Sequence, residues 1–276
     1  MKTLIGKSGY LFLMNDESKE LDIHCNNLCT VKDLNLHRYT FKNYLLFVYP
    51  DKSYLFSKYL PDEYIATYRP SFDIYKQKFN ERCIDLLDCL HGDVYYKTDT
   101  HINFKGSSFV YKLFIETVNN LFQLNLKLKH LNIESKIGEL SHLNLGVGDL
   151  IWFGNLGNQV IDETTDTFYF DSNYSFYYKY VIINGPIRFL DYSLNDKTLS
   201  LQNNVVNWDI ISNSIIYIYN KGPKILIFYD SFLLQSISLY FDLFEVYFVK
   251  SVYNNVLINK INPDYVFEFR IERFLM

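Results

Sequence analysis

Nowhere in the 276 residues is there an uninterrupted apolar run long enough to span a bilayer. The opening, Met1-Lys-Thr-Leu-Ile-Gly-Lys-Ser-Gly-Tyr10, lacks the apolar centre of a secretory signal. Cysteine is scarce: Cys25, Cys29, Cys83 and Cys89 provide no disulfide framework for a chain of this length. His24 beside Cys25-x3-Cys29 makes half of a zinc site, but no second pair at finger spacing completes it, so buried free thiols and no metal are expected. Lys and Arg form no cluster and the net charge is −4, which argues against nucleic acid as the main partner. These absences fit a cytoplasmic chain, either free there or held at a membrane surface by a membrane-associated partner protein.

What the chain holds in quantity is aromatic carbon. With 25 Tyr and 23 Phe it has too much apolar surface to stay disordered. Its length suits one large α/β domain over 1–276. Asn43 to Tyr49, Lys224 to Tyr229, Phe244 to Val249 and Asp264 to Phe269 are predicted strands, the apolar ones of the kind buried on both faces. Asp93 to Lys97 is a shorter strand. Ser71 to Leu90 and Ser107 to Leu121 carry apolar residues at helical spacing, and residues 31–42 are an ambiguous helix.

From Leu150 onward the pattern turns to short β runs: Gln159–Asp162, Thr167–Asp171, Tyr174–Ile183, Ile187–Tyr192 and Thr198–Leu201. No Pro/Ser linker flanks them, so 150–205 reads as a β-rich insertion rather than a separate domain. Its aromatics, from Tyr169 and Phe170 to Tyr178 and Tyr180, suit either hairpin packing or a sugar-binding cleft.

Two turns carry the candidate chemistry. After the apolar run Ile225 to Phe228 comes Asp230-Ser231, then Leu233, Leu234, Ile237, Leu239, Tyr240 and Leu243 at roughly helical spacing. A serine at such a strand-to-helix turn is presented at the carboxyl edge of a sheet, beside helix N–H groups that can stabilise an oxyanion. The same two residues also suit an ordinary N-cap. The second turn, Thr98 to Gly106, sets Asp99 and His101 where another strand gives way to a helix. Taken alone, it reads as a surface turn with a solvated histidine.

In chain order, several short stretches resemble the SGNH-hydrolase-like family that includes the alginate O-acetyltransferases, sometimes recognised by Asp-x-His-Trp. They are Gly6 to Leu13, Val48 to Lys52 with Tyr59 to Pro61, Thr98 to Asn103 with Gly106, and Gly148 to Leu150. Pro223 to Phe232, Asn262 to Asp264 and Glu272 to Leu275 complete the set. The resemblance implies a flavodoxin-like three-layer α/β fold with a parallel sheet. It also implies a Ser-His-Asp triad acting on O-acyl esters of glycans, with Ser231 as nucleophile, His101 as base and Asp99 as orienting acid. Read from residue 223 to 276 and then from 43 to 106, the strands fall in the order of an ordinary SGNH hydrolase, as a circular permutation would give.

A carbohydrate acceptor, poly- or oligosaccharide, is then the expected partner, and an acetyl ester or acetyl-CoA the co-substrate, with no bound cofactor. The same triad without an acceptor would make an acylesterase. Two departures from the pattern, Ile102 where Trp is usual and Tyr229 where Gly or Arg is common, leave room for a silent glycan-binding member. The family's oxyanion glycine and asparagine have no counterparts at Lys250-Ser251 or from Arg270 to Arg273. Arg273, Tyr229 and Asn103 are the candidate oxyanion or substrate contacts, Arg273 being equally suited to a salt bridge with Glu272 or another acid.

Overall fold

The computed structural model describes residues 2–14, 16–29, 31, 40–137, 148–156, 164–169, 176–182, 190–194, 214–218, 221–234, 236–241 and 243–275. In chain order the N-terminal part holds β1 (Lys2–Ile5), β2 (Leu11–Met14), α1 (Glu20–Asn26), β3 (Tyr44–Tyr49), α2 (Lys52–Leu55), α3 (Pro70–Phe79), β4 (Cys83–Asp85) and α4 (Phe104–Phe122). The middle holds β5 (Asn132–Ile137), α5 (Asp149–Phe153), β6 (Thr164–Tyr169), β7 (Phe176–Ile182), β8 (Leu190–Leu194) and β9 (Ser214–Ile218). The C-terminal part holds β10 (Lys224–Tyr229), α6 (Ser231–Leu234), β11 (Glu245–Val249), α7 (Asn255–Ile261) and β12 (Tyr265–Ile271). Among the described residues no helix is long and apolar enough to cross a membrane.

One sheet runs β4-β3-β12-β10-β11-β9-β7-β8. Its first five strands are parallel, and β9, β7 and β8 continue it in antiparallel register. All six residues of β3 are buried, because alternate side chains enter two different cores. Leu45, Phe47 and Tyr49 join Ile225 and Ile227 of β10 and the α4 face of Val110, Tyr111, Phe114 and Val118. Tyr44, Leu46 and Val48 join Leu226 and Phe228, with Phe72 and Tyr75 of α3 and Ile258 of α7. Helices therefore cover both faces, the condition that lets a parallel sheet be apolar throughout. Each large apolar side chain so buried contributes about 1.5–3 kcal/mol.

Several local expectations are corrected. The helix from Ser71 stops at Phe79, because Asn80 turns to φ 47° and ψ −114° and the chain re-enters the sheet at Cys83. The edge strand is thus β4. Residues 93–97 instead fold back on the loop that follows them: Tyr95 bridges Ile102, and Asn103 N–H donates to the Val94 carbonyl at 2.8 Å. The helix after Ser231 ends at Leu234 and is followed by a 3-10 turn over Ile237–Tyr240. Asp149–Phe153 is helical where β structure was expected, and β9 was not anticipated at all. The strand expectations at Gln159–Asp162 and Thr198–Leu201, most of 31–42, and the aromatic side chains from Tyr169 to Tyr180 lie outside what is described.

Candidate active site

Ser231 follows the carboxyl end of β10, and three neighbouring segments reach the same rim. Pro50 to Lys52 leaves β3, Glu272-Arg273 leaves β12, and the loop Thr98 to Asn103 leads into α4. The loop is fixed from below. Lys52, itself buried, donates to the carbonyls of Lys97 at 2.8 Å and Asp99 at 2.9 Å, and Tyr95 Oη donates to the Pro50 carbonyl. Asp99 and His101 are both buried, so the alternative of a solvated surface turn is excluded.

The structure brings Ser231, His101 and Asp99 into one line. His101 Nε2 is 2.8 Å from Ser231 Oγ, and His101 Nδ1 is 2.7 Å from Asp99 Oδ1. With Nδ1–H donating to the carboxylate, Nε2 is the acceptor left for the serine hydroxyl. Asp99 Oδ1 also accepts from the His101 N–H at 2.9 Å, and its Oδ2 accepts from the Asp149 N–H at 3.1 Å. The Phe232 ring closes one side of the imidazole, with ring centres 4.7 Å apart. Such an imidazole can take a hydroxyl proton as the oxygen attacks a carbonyl.

Asp230 resolves the competition between nucleophile and cap. Its Oδ1 accepts from Phe232 N–H at 2.9 Å and its Oδ2 from Ile271 N–H at 2.6 Å. The capping role falls to Asp230, and the Ser231 hydroxyl is left to His101. Burial pushes the Asp230 carboxyl above its ordinary value, against the pull of Arg270 and its two backbone donors. Ser231 is the first residue of α6, so its N–H has no acceptor within that helix.

The three other candidates have different work. Arg273 pairs with Glu20 at 3.1 Å and with Asp51, both buried, rather than with Glu272. Burial alone would lower its basicity, but Asp51 and Glu20 outweigh that and hold the guanidinium charged. Asn103 caps α4, accepting from Gly106 N–H at 3.0 Å and donating to the Asp93 carbonyl at 2.8 Å. Tyr229 is fully buried in the larger core, where its ring packs edge-on to Phe248. Ion pairs hold Arg273, two hydrogen bonds hold Asn103 and packing holds Tyr229, while Arg273 Nε and the Tyr229 hydroxyl are buried with no hydrogen-bond partner among the described residues. Ile102, where Trp is usual, is likewise fully buried, so both departures from the family pattern sit in the core.

Near the β11 end, Ser251 N–H donates to the Val249 carbonyl at 2.8 Å, and Arg270 is held by Glu268 at 2.8 Å. His24 belongs to no half-site for zinc: its ring bonds Asp51 at 3.0 Å and the Tyr68 carbonyl at 2.8 Å. The four thiols are unpaired, but only Cys83 is buried as expected, Cys25 and Cys89 being half-buried and Cys29 exposed.

Sequence reasoning assigned no role to Lys52 or Asp149, although both lie in stretches it had singled out. Asp149 Oδ1 accepts from Thr100 N–H at 2.8 Å, Oδ2 from the Thr100 hydroxyl at 2.6 Å, and Oδ2 is 3.7 Å from His101 Nδ1. Asp99, His101 and Asp149 offer ligand atoms within 4.8 Å of one another, a spacing a metal ion accepts. The donor set points elsewhere, since all four carboxylate oxygens already accept N–H or O–H bonds from the surrounding loop.

No protein family and no curated protein matches the sequence. Solved structures do match, and the class they share with this chain is a mixed α/β fold over almost the whole length. A DHHW family protein from Eubacterium siraeum DSM 15702 matches at 14% identity and a TM-score of 0.62, covering 100% of this chain and 95% of its own. Bacillus cereus PatB1 matches at 14% identity and 0.63, covering 99% and 96%, and its form with a sulfonyl adduct at 0.64. The O-acetyltransferase domain of Pseudomonas putida AlgJ matches at 12% and 0.52, covering 99% and 92%. At such identities the likeness is one of fold.

Proposed function

We propose that the chain is a glycan O-acetyltransferase of the SGNH-like kind that works through an acyl-serine. The observation that carries this reading is the continuous line from Ser231 Oγ through both ring nitrogens of His101 to Asp99, at 2.8 and 2.7 Å. His101 removes the Ser231 proton as Oγ attacks the acyl carbon of an acetyl ester or acetyl-CoA. Asp99 holds the imidazole tautomer and offsets its charge, and the Ser231 N–H donates to the oxyanion. The donor leaves with the proton from His101. A sugar hydroxyl then loses its proton to His101, attacks the acyl-serine and regenerates Ser231. The scheme calls on no bound cofactor.

Two further observations support it. Counted from β10, the five parallel strands read 2-1-3-4-5 across the sheet, the order of a flavodoxin-like fold begun at a different point of the chain. This order supports reading the sheet as a circularly permuted SGNH-type one, with β7 and β8 inside the proposed β-rich insertion 150–205. Among the structures of like fold, one is an O-acetyltransferase domain and another was obtained with a sulfonyl adduct.

A carbohydrate or lipid O-acylesterase is the second reading, because half-buried Ser231 leaves water a path to the acyl-serine. Protein incubated with a chromogenic acetyl ester, with and without oligosaccharide, separates the two. Acetylated sugar supports the transferase, and steady acetate release alone supports the esterase. Absence of any turnover, and of any acyl-enzyme by mass spectrometry, sinks both.

A further inference from the structure

We infer that Asp149 is a positioning residue for His101, a second carboxylate that sets the imidazole's place from outside the Ser231–His101–Asp99 line. The inference rests on the acyl-serine reading and deepens it. Three bonds from backbone N–H groups knit the segment carrying Asp149 to the histidine loop: Thr100 N–H to Asp149 Oδ1 at 2.8 Å, Asp149 N–H to Asp99 Oδ2 at 3.1 Å, and Leu150 N–H to the Thr98 carbonyl at 3.1 Å. The bonding is reciprocal, each segment donating to the other's carboxylate, so a shift of Asp149 moves Asp99 and Thr100 together.

Gly148 permits the approach, since a Cβ there would collide with the Thr98 carbonyl. Leu150 and Ile151 anchor the far side against Leu11 and Leu13. The Thr100 hydroxyl donates to Asp149 Oδ2 at 2.6 Å and lies 3.2 Å from His101 Nδ1, bridging the second carboxylate to the ring. Asp149 is buried, and its Oδ2 is 3.7 Å from Nδ1. Among the described residues, charged groups near the ring include Asp99, Lys52 at the Asp99 carbonyl, Arg273 against the Phe232 ring and Asp230 beside Ser231. Asp149 thus adds negative charge on the side where the imidazolium forms, and holds the loop that aims it.

The test compares wild-type protein with Asp149→Asn. Sulfonylation of Ser231 by phenylmethylsulfonyl fluoride is followed by intact mass across pH, with acetyl-ester turnover in parallel. Asparagine keeps the shape and removes the charge. Labelling and kcat are expected to fall roughly 10- to 100-fold, the scale of a misaimed reacting group, with KM little changed. The acidic limb of the pH profile is expected to move to lower pH, because an imidazolium loses a neighbouring anion.

A variant with wild-type rate and profile overturns the inference, and so does one that is slow with the limb unmoved, which is the signature of packing alone. Should Asp149→Asn fail to fold, Thr100→Val decides: slower labelling by a folded protein is expected, and an unchanged rate overturns the inference. A wild-type protein that takes no label at Ser231 removes the acyl-serine reading itself, and this inference with it. The wild-type arm alone reports that failure.

Discussion

His101 Nε2 lies 2.8 Å from Ser231 Oγ although 130 positions separate the two residues in the chain. Removing either atom should therefore leave the fold and stop the chemistry. Ser231→Ala deletes one hydroxyl from a half-buried position and is expected to change stability by less than about 1 kcal/mol. Turnover of an acetyl ester should drop by about 10⁴–10⁶, with no acyl-enzyme visible by mass. His101→Ala should cost a similar factor. Turnover persisting in folded Ser231→Ala protein would falsify the assignment of the nucleophile.

Asp230 ties the end of β10 to the end of β12 through one carboxylate. Asp230→Ala leaves the N–H groups of Phe232 and Ile271 without that acceptor. Each orphaned donor costs about 1–3 kcal/mol, so the urea midpoint should fall markedly. Activity should fall as well, because the Ser231 turn loses its cap. A variant as stable as the parent would show that water replaces the carboxylate.

Gly148 touches the Thr98 backbone too closely for any side chain. Gly148→Ala is expected to push α5 and its Asp149 away from the histidine loop. Loss of turnover larger than loss of melting temperature is the expected pattern, since the disturbance is local to the site. Equal, small losses in both would place the clash elsewhere.

Stability should fall toward alkaline pH. His24 is fully buried, and although burial disfavours its charged form, its hydrogen bond and attraction to Asp51 raise its pKa from 6.5 to about 9. The fold thus holds this proton more tightly than the unfolded chain does. The stabilisation is complete below 6.5 and is lost as pH rises through about 9. At most it amounts to about 3 kcal/mol. Glu272, pushed by burial from 4.5 to about 7 despite Arg69, adds a decline of the same sign at lower pH. Denaturation midpoints measured across this range should fall, and His24→Gln should flatten the curve above about pH 7. A slope unchanged in that variant would assign the effect to other groups.

Much of the sheet was legible because β3 and β10 are apolar runs buried on both faces, a pattern with few other solutions. The edge was not. Cys83-Ile84-Asp85 looks helical in context, and only the turn at Asn80 frees it to pair with Leu46, Phe47 and Val48. The reading of Asp93 to Lys97 as a strand failed for a related reason. Tyr95 found its partner in Ile102, a few residues away, instead of in the sheet.

Ser231, His101 and Asp99 could be named from strand-to-helix turns and from a family resemblance, and the structure sets His101 within hydrogen-bond distance of both others, while the partners of Arg273 were not legible. An arginine near a carboxyl edge reads the same whether it faces substrate or Glu20 and Asp51, and the acids that hold it lie more than 200 positions away.

The order of side chains along the polypeptide determined where apolar runs would become strands and which residues had the chemistry to act. It left open whether Ser231 would cap a helix or face an imidazole, because local backbone geometry allows both. Folding decided that by bringing Asp230 to Ile271 and the Thr98 to His101 loop to the end of β10. It also set Asp149 beside Asp99. Contacts of that kind depend on how distant chain segments cross at one rim, which no local periodicity encodes.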